Sequence, residues 1–293
     1  MAEHLQWTDD FDSPHEECGV LAISSTQDDA AQLSFFGLFA LQHRGQEAAG
    51  IAVADGKQAR LHKDVGLVGQ VFTPHTLAPL NGMYAIGHTR YSTTGAPGAR
   101  NAQPFLVETM HGPLAVAHNG NLVNAPELRD ELLAKGFGLT ASSDTEVITL
   151  MLASAGGATW ETRLERTLSA WQGAYSLVIL AADRIIAVRD PWGFRPLSVG
   201  QLPNGGWAIA SETCALDIVN AVFIRDIEPG EMVIITPGGI ESQRPFERVG
   251  NRFCIFEYVY FSRPDSAFGG LSVYETRRRI GEQLAMEAPV EAD

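Results

Sequence analysis

Cys18 opens an apolar run, Cys18-Gly19-Val20-Leu21-Ala22-Ile23-Ser24, directly after seventeen polar and acidic residues. Residues 1–17 have no packing period, whereas the run reads at once as a buried strand. This boundary constrains the fold more than any other feature. Packed structure is expected to begin at Cys18, and residues 1–17 to be a leader cut off as a propeptide. They are not a secretory signal, because they lack the basic start and apolar core of one.

Downstream, residues 29–42 place apolar side chains at helical spacing and predict a helix packed on that first strand. Residues 43–47 are a polar turn, and strands are expected at 48–54, 58–63 and 83–91. Residues 92–104 read as a loop from their Gly, Pro, Ser and Asn content. Strands follow at 105–109 and 113–118, the second stopped by Asn119-Gly120. Helices are expected over 126–135, from a Ser143-Asp144 cap to about 155, and over 160–171. The second half turns to β, with strands at 173–183, 184–190, 197–200, 207–211, 221–226, 231–236 and 239–243. Two helical stretches flanked by two sets of strands predict a layered sandwich with largely antiparallel sheets. A boundary is expected near 250. Beyond it, 253–261 is strand-like and 272–286 begins a new helix, so the chain reads as a fragment of a longer enzyme.

Composition narrows the functional classes. The 293 residues carry 35 acidic and 21 basic side chains, a net charge of −14, which disfavours nucleic acid and anionic membrane as partners. No apolar run approaches the roughly 20 residues of a membrane span. The three cysteines, Cys18, Cys214 and Cys254, are far apart and lack zinc-ligand spacing. Their odd number argues against a disulfide framework and for a reducing, cytoplasmic setting.

Four clusters carry candidate chemistry, each beside a plainer reading. A cysteine opening a strand is commonly a small buried hydrophobe. If the leader is removed, however, the freed α-amine of Cys18, with a pKa of about 7.7–8, can take the thiol proton. Arg90 leaves a strand for a polar loop in His88-Thr89-Arg90-Tyr91. It is a solvated arginine or a bidentate carboxylate anchor, with Thr93 and Thr94 adding hydroxyls. Asn119-Gly120 is a hairpin turn or a paired donor site for an oxyanion. Asp144 belongs to a helix cap, and its carboxylate could also bind an ammonium. Arg90 and Asp144 together would recognise a free amino acid.

Seven segments, CGVLAI, QHRGQEAAGI, HTRYSTTG, HNGNL, SSDTEV, RDPWGFRPL and CIFEYVYFSRPDS, stand in one order across residues 18–270. Together they resemble the amidophosphoribosyltransferase family, whose members are glutamine phosphoribosylpyrophosphate amidotransferases. The resemblance implies an α+β fold, the four-layer αββα sandwich of the N-terminal nucleophile hydrolases, with two mostly antiparallel sheets between helical layers. It implies a propeptide at 1–17, a class II glutamine amidotransferase domain at 18–251, and the start of a truncated phosphoribosyltransferase domain at 252–293. Cys18 is then the nucleophile, with Asn119 and Gly120 as the oxyanion hole. Arg90, Thr93 and Asp144 bind glutamine. Arg44 borders the nucleophile, and Tyr258 belongs to the link with the second domain.

The implied reaction is hydrolysis of glutamine to glutamate and ammonia. In the full enzyme ammonia passes to phosphoribosyl pyrophosphate to make 5-phosphoribosylamine, with Mg²⁺ assistance, at the first step of purine synthesis. The family implies a homo-oligomer. Some members hold a [4Fe–4S] cluster, for which Cys254 resembles the first of four thiolate ligands. The phosphoribosyltransferase signature itself is absent from these 293 residues, so this chain is expected to supply the glutaminase half only. The leader and the RPDS segment argue against glucosamine-phosphate synthase and asparagine synthetase, other class II enzymes. Retention of Cys18, Arg90, Asn119 and Asp144 together argues against a non-catalytic glutamine-binding module.

Overall fold

A computed structural model describes residues 18–91, 98–246 and 249–290. In chain order its first half contains β1 (Gly19–Ser24), α1 (Ala30–Ala40), β2 (Ala48–Ala54), β3 (Ala59–Val65), the single turns α2 (Val68–Val71) and α3 (Pro74–Leu77), β4 (Tyr84–Arg90), β5 (Phe105–Thr109), β6 (Gly112–Leu122), α4 (Ala125–Ala134), α5 (Asp144–Ser154) and α6 (Trp160–Leu168). The second half contains β7 (Gly173–Ala181), β8 (Arg184–Arg189), β9 (Ser198–Gln201), β10 (Trp207–Ala210), α7 (Thr213–Ile218), β11 (Val222–Asp226), β12 (Met232–Thr236), β13 (Gly239–Gln243), the short β14 (Ala267–Phe268) and β15 (Leu271–Ser272), and α8 (Val273–Glu287).

Apart from the small β14-β15 pair, the strands form two antiparallel sheets, ordered β11-β9-β10-β1-β4-β2-β3 and β13-β12-β8-β7-β6-β5. Side-chain alternation along each strand explains why they face one another. From β1, Val20 and Ala22 enter a core between the sheets with Ala117, Val178 and Ala187 of the second sheet. Leu21 and Ile23 point the other way, into a cluster with Leu38 and Leu41 around α1 and with Leu216 of α7. On the second sheet, Leu177 and Ile179 of β7 meet Val147, Leu152 and Leu164 from α5 and α6. The result is the expected αββα sandwich. Because both faces of the central strands are covered, they read as continuous apolar runs rather than alternating ones. No helix among the described residues is long and apolar enough to cross a membrane.

Two expectations need correction. First, β6 does not stop at Asn119-Gly120 but continues to Leu122, paired with β7 throughout. Asn-Gly serves here as a strand interior because β7 supplies a partner for Gly120 opposite Tyr175. Second, residues 253–261 are not a strand. Glu257–Phe261 forms a π-helical turn, closed by Ser262 N–H donating to the Glu257 carbonyl at 3.2 Å. Its alternating aromatics mimic strand period, but the segment finds no sheet edge. It is pinned instead by the inward-facing carboxylate of Glu257.

Candidate active site

The start of β1 and the ends of β4 and β6 meet at one end of the sandwich. Gly19 pairs with Thr89, so Cys18 stands alongside Arg90 at the end of β4. The approach is close: a Cβ on Gly19 would come within 2.7 Å of Thr89 Oγ1. Cys18 is buried, and its thiol donates to the Tyr91 carbonyl at 3.4 Å. Its own carbonyl accepts from Arg44 Nε at 3.0 Å. Arg44 belongs to a turn of 3₁₀ helix, Gln42–Arg44, which delivers the side chain beneath Cys18. Arg90 is also buried, with Nη1 3.4 Å from Glu47 Oε2.

On the facing sheet, β5 pairs with β6 only as far as Val116 opposite Phe105. Beyond that point no strand lies beside the β6 edge among the described residues. In an antiparallel ladder, alternate residues direct their N–H and C=O to the same edge. His118 and Leu122 face the open edge, and side chains serve them there: Gln103 Oε1 accepts from His118 N–H at 2.7 Å, and Asp144 Oδ2 accepts from Leu122 N–H at 3.0 Å. Gly120 lies midway, so its N–H faces the same edge. Only glycine fits this position, with φ +141° and a would-be Cβ 2.1 Å from the Ala174 carbonyl oxygen. Asn119 is fully buried, yet neither Oδ1 nor Nδ2 has a hydrogen-bond partner among the described residues. Buried amides are nearly always partnered, so an orphaned one calls for a functional or ligand-based reason.

Asp144 reaches the same edge from the first turn of α5, whose Ser143 cap accepts from Thr145 N–H at 3.2 Å. Its Oδ1 lies 3.6 Å from His118 Nδ1. Burial pushes the Asp144 carboxyl up, but His118 and the N–H groups of Leu122 and Thr145 outweigh it and hold the group below its ordinary range. The entry to α5 is tied in turn to the segment after Arg90. Asn101 Oδ1 accepts from Ser142 and Ser143 N–H at 2.9 and 3.1 Å.

Cys18, Arg90, Asn119, Gly120 and Asp144 are thus carried by strand and helix ends that lie together. Thr93 falls at 92–97, outside the described residues. Arg44 lies against the Cys18 backbone. Tyr258 lies apart from the strand ends. Its hydroxyl donates to the Phe268 carbonyl at 2.7 Å, and its ring packs on Phe253 and Phe268. Cys254 lies in the same C-terminal segment, its N–H donating to the Phe194 carbonyl at 3.2 Å.

Sequence reasoning missed Glu212, Glu257, Gln103, His88 and His118. Glu212 and Glu257 are both fully buried around Arg44, at 2.7 and 2.8 Å from its Nη1. The two histidines sit inside motifs already singled out, so a signal was present. Glu257 likewise sits inside CIFEYVYFSRPDS, whereas Gln103 and Glu212 carried none. RDPWGFRPL forms a turn tied by Asp190, which accepts from the N–H groups of Trp192 and Gly193 at 2.9 and 2.8 Å.

This fold, with a cysteine at the head of β1 and a buried Asn119 amide unpartnered among the described residues on the facing sheet, is that of the N-terminal nucleophile hydrolases. Residues 88–217 match the family model described as a glutamine amidotransferase domain. The chain is similar over nearly its whole length to amidophosphoribosyltransferases. It is 52% identical over 287 residues to that of Synechococcus elongatus, covering 96% of this chain and 58% of the relative. It is 50% identical over 291 residues to that of Mycobacterium leprae, covering 97% and 52%. Among solved structures it resembles glutamine phosphoribosylpyrophosphate amidotransferase from B. subtilis complexed with ADP and GMP. That match has a TM-score of 0.89 and 43% identity, over 94% of this chain and 60% of the other. The chain therefore spans between half and two thirds of the length of these relatives.

Proposed function

We propose that this chain, once Cys18 is its first residue, hydrolyses glutamine to glutamate and ammonia. In the whole protein, the ammonia converts phosphoribosyl pyrophosphate to 5-phosphoribosylamine. The observation that carries the reading is the fully buried Asn119 amide, unpartnered among the described residues, beside a Gly120 N–H that faces the same open edge as those of His118 and Leu122. A preorganised donor pair of this kind suits charge that appears only during reaction.

Arg90 takes the substrate α-carboxylate and Asp144 its ammonium, fixing the side-chain amide before Cys18. The freed α-amine removes the thiol proton. The thiolate forms a bond to the amide carbon, and the carbonyl electrons move onto oxygen, which Asn119 Nδ2 and Gly120 N–H receive. Collapse breaks the C–N bond. The leaving nitrogen takes the proton from the α-ammonium and departs as ammonia. Water, deprotonated by the same amine, then attacks the γ-glutamyl thioester and releases glutamate and the thiol. While Glu17 is joined to Cys18, that nitrogen is an amide and no base is available.

The acceptor half rests on similarity to amidophosphoribosyltransferases and is assigned to the whole protein, with residues from about 252 as its entry. The relative from B. subtilis is described as complexed with ADP and GMP, and purine nucleotides are the class of regulator this predicts. A cluster and Mg²⁺ find no fit here: among the described residues no three His, Cys, Asp or Glu side chains are grouped as metal ligands. Cys254 alone cannot hold a cluster that takes four thiolates, and no step is derived through either group.

The test is stoichiometric trapping by a glutamine-analogue electrophile, read by intact mass and peptide mapping. The reading requires loss of residues 1–17 and one adduct, on Cys18. An adduct elsewhere, or retention of the leader in an active protein, overturns it.

A further inference from the structure

We propose that His88 is a positioning residue for the Asn119–Gly120 donor pair, acting through the carbonyl of His118. This rests on the glutaminase reading and extends it to a side chain that touches no reacting atom. His88 lies on β4, two residues before Arg90 and two after Ile86, which faces the core between the sheets. His88 therefore faces the same core. It is fully buried, and its Nε2 lies 3.1 Å from the His118 carbonyl oxygen on the opposite sheet.

That contact occurs where β6 has lost its strand neighbour. The ladder from β5 ends at Val116. At His118, Gln103 Oε1 takes the N–H at 2.7 Å and His88 takes the C=O. Two side chains thus replace one residue of a missing strand. The His118 carbonyl belongs to the same planar peptide unit as the Asn119 N–H. Holding that oxygen fixes the plane from which the Asn119 side chain departs. Asn119 has no side-chain hydrogen bond of its own among the described residues, so its aim depends on its backbone.

A carbonyl partner requires a donor, which places the imidazole proton on Nε2 and leaves Nδ1 an acceptor. Burial drives the His88 ring down to about 3, so it stays neutral at working pH and the donor persists. His88 Nδ1 is buried with no partner among the described residues. An apolar residue would avoid the cost of that unmet acceptor. The expense has its rationale in the bond that Nε2 makes.

The experiment compares His88→Leu, His88→Gln and His88→Asn in the processed protein. Glutamine hydrolysis is measured per Cys18 titrated with the electrophilic analogue. Glutamine reproduces a donor at the Nε2 position; asparagine is equally polar but too short to reach. With a whole oxyanion donor worth about 10²–10³ in turnover, a misaimed one should cost roughly 10–100-fold. The expected result is that loss in kcat for His88→Leu and His88→Asn, with the glutamine KM within about threefold, and near-normal kcat for His88→Gln. If His88→Leu does not fold, the Asn and Gln variants carry the comparison. Equal kcat losses for Gln and Asn, or a loss confined to KM, overturn the proposal. A wild-type protein without Cys18-dependent hydrolysis would instead sink the glutaminase reading beneath it.

Discussion

Glu257 gives both carboxylate oxygens to Arg44, at 2.8 and 2.9 Å from Nη1 and Nη2, while Arg44 Nε holds the Cys18 carbonyl at 3.0 Å. One buried guanidinium therefore joins the C-terminal segment to the backbone of the candidate nucleophile, 213 residues away from Glu257 to Arg44 in sequence. Its Nη1 also reaches Glu212 Oε1 at 2.7 Å, and Arg195 Nη1 lies 3.7 Å from Glu257 Oε1. The Arg44 group is held protonated: burial opposes the charge, but Glu257 and Glu212 more than offset it.

Removing one member of this cluster strands charge in the interior. Arg44→Leu and Glu257→Ala should each lower stability by about 3–5 kcal/mol, read by urea unfolding. Arg44→Lys should not rescue, because an ammonium cannot span the Cys18 carbonyl and two carboxylates as a planar fork does. A lysine variant with an unchanged urea midpoint would show that the fork geometry is not needed.

Glu212 predicts an acid limb of the stability curve. Burial alone would raise its carboxyl, but His43 and Arg44 bring it down to about 2 from 4.5. A folded pKa below the unfolded one means stability is fully present above about 4.5 and is lost as pH falls towards 2. The shift corresponds to something of order 3 kcal/mol. Glu212→Gln should be less stable at neutral pH and flatter between pH 4.5 and 2. Parallel pH profiles for the two proteins would assign the acid limb to other groups.

Asn119→Ala separates function from structure. Turnover should fall about 10²–10³-fold. Stability should hold or rise slightly, because an unmet buried amide costs roughly 1–3 kcal/mol. Differential scanning calorimetry beside a glutaminase assay checks both. A variant that loses stability and turnover together would make Asn119 a structural residue.

Arg90→Gln and Asp144→Asn should act on binding. Each removes one charge-assisted contact to an amino-acid substrate, worth about 1.5–3 kcal/mol, or roughly 10–150-fold in the glutamine KM. Initial-rate kinetics with glutamine, and with an analogue lacking the matching charged group, give the check. Additive losses on the charged substrate and none on its matched analogue are expected.

The two-sheet fold was legible because its strands are short, apolar and punctuated. β1, β2 and β4 matched their expected spans closely, as did the Ser143 cap of α5. The path of β6 was not legible. Asn-Gly favours a turn locally, and only pairing with β7 kept it extended. The C-terminal aromatics failed for the complementary reason: a strand-like period with no partner edge became a π-helical turn around Glu257.

What the sequence determined by itself was the identity of the candidate chemical groups: a cysteine at the head of the packed chain, and Arg90, Asn119-Gly120 and Asp144 in their motifs. Tertiary structure decided which of their atoms are available. The orphaned Asn119 amide and the glutamates around Arg44 depend on contacts between segments tens to hundreds of residues apart. The bond from His88 to the His118 carbonyl depends on two sheets meeting face to face. Local composition carries no record of such distances. Hydrogen-bond satisfaction in a buried site is set by what arrives from elsewhere in the chain.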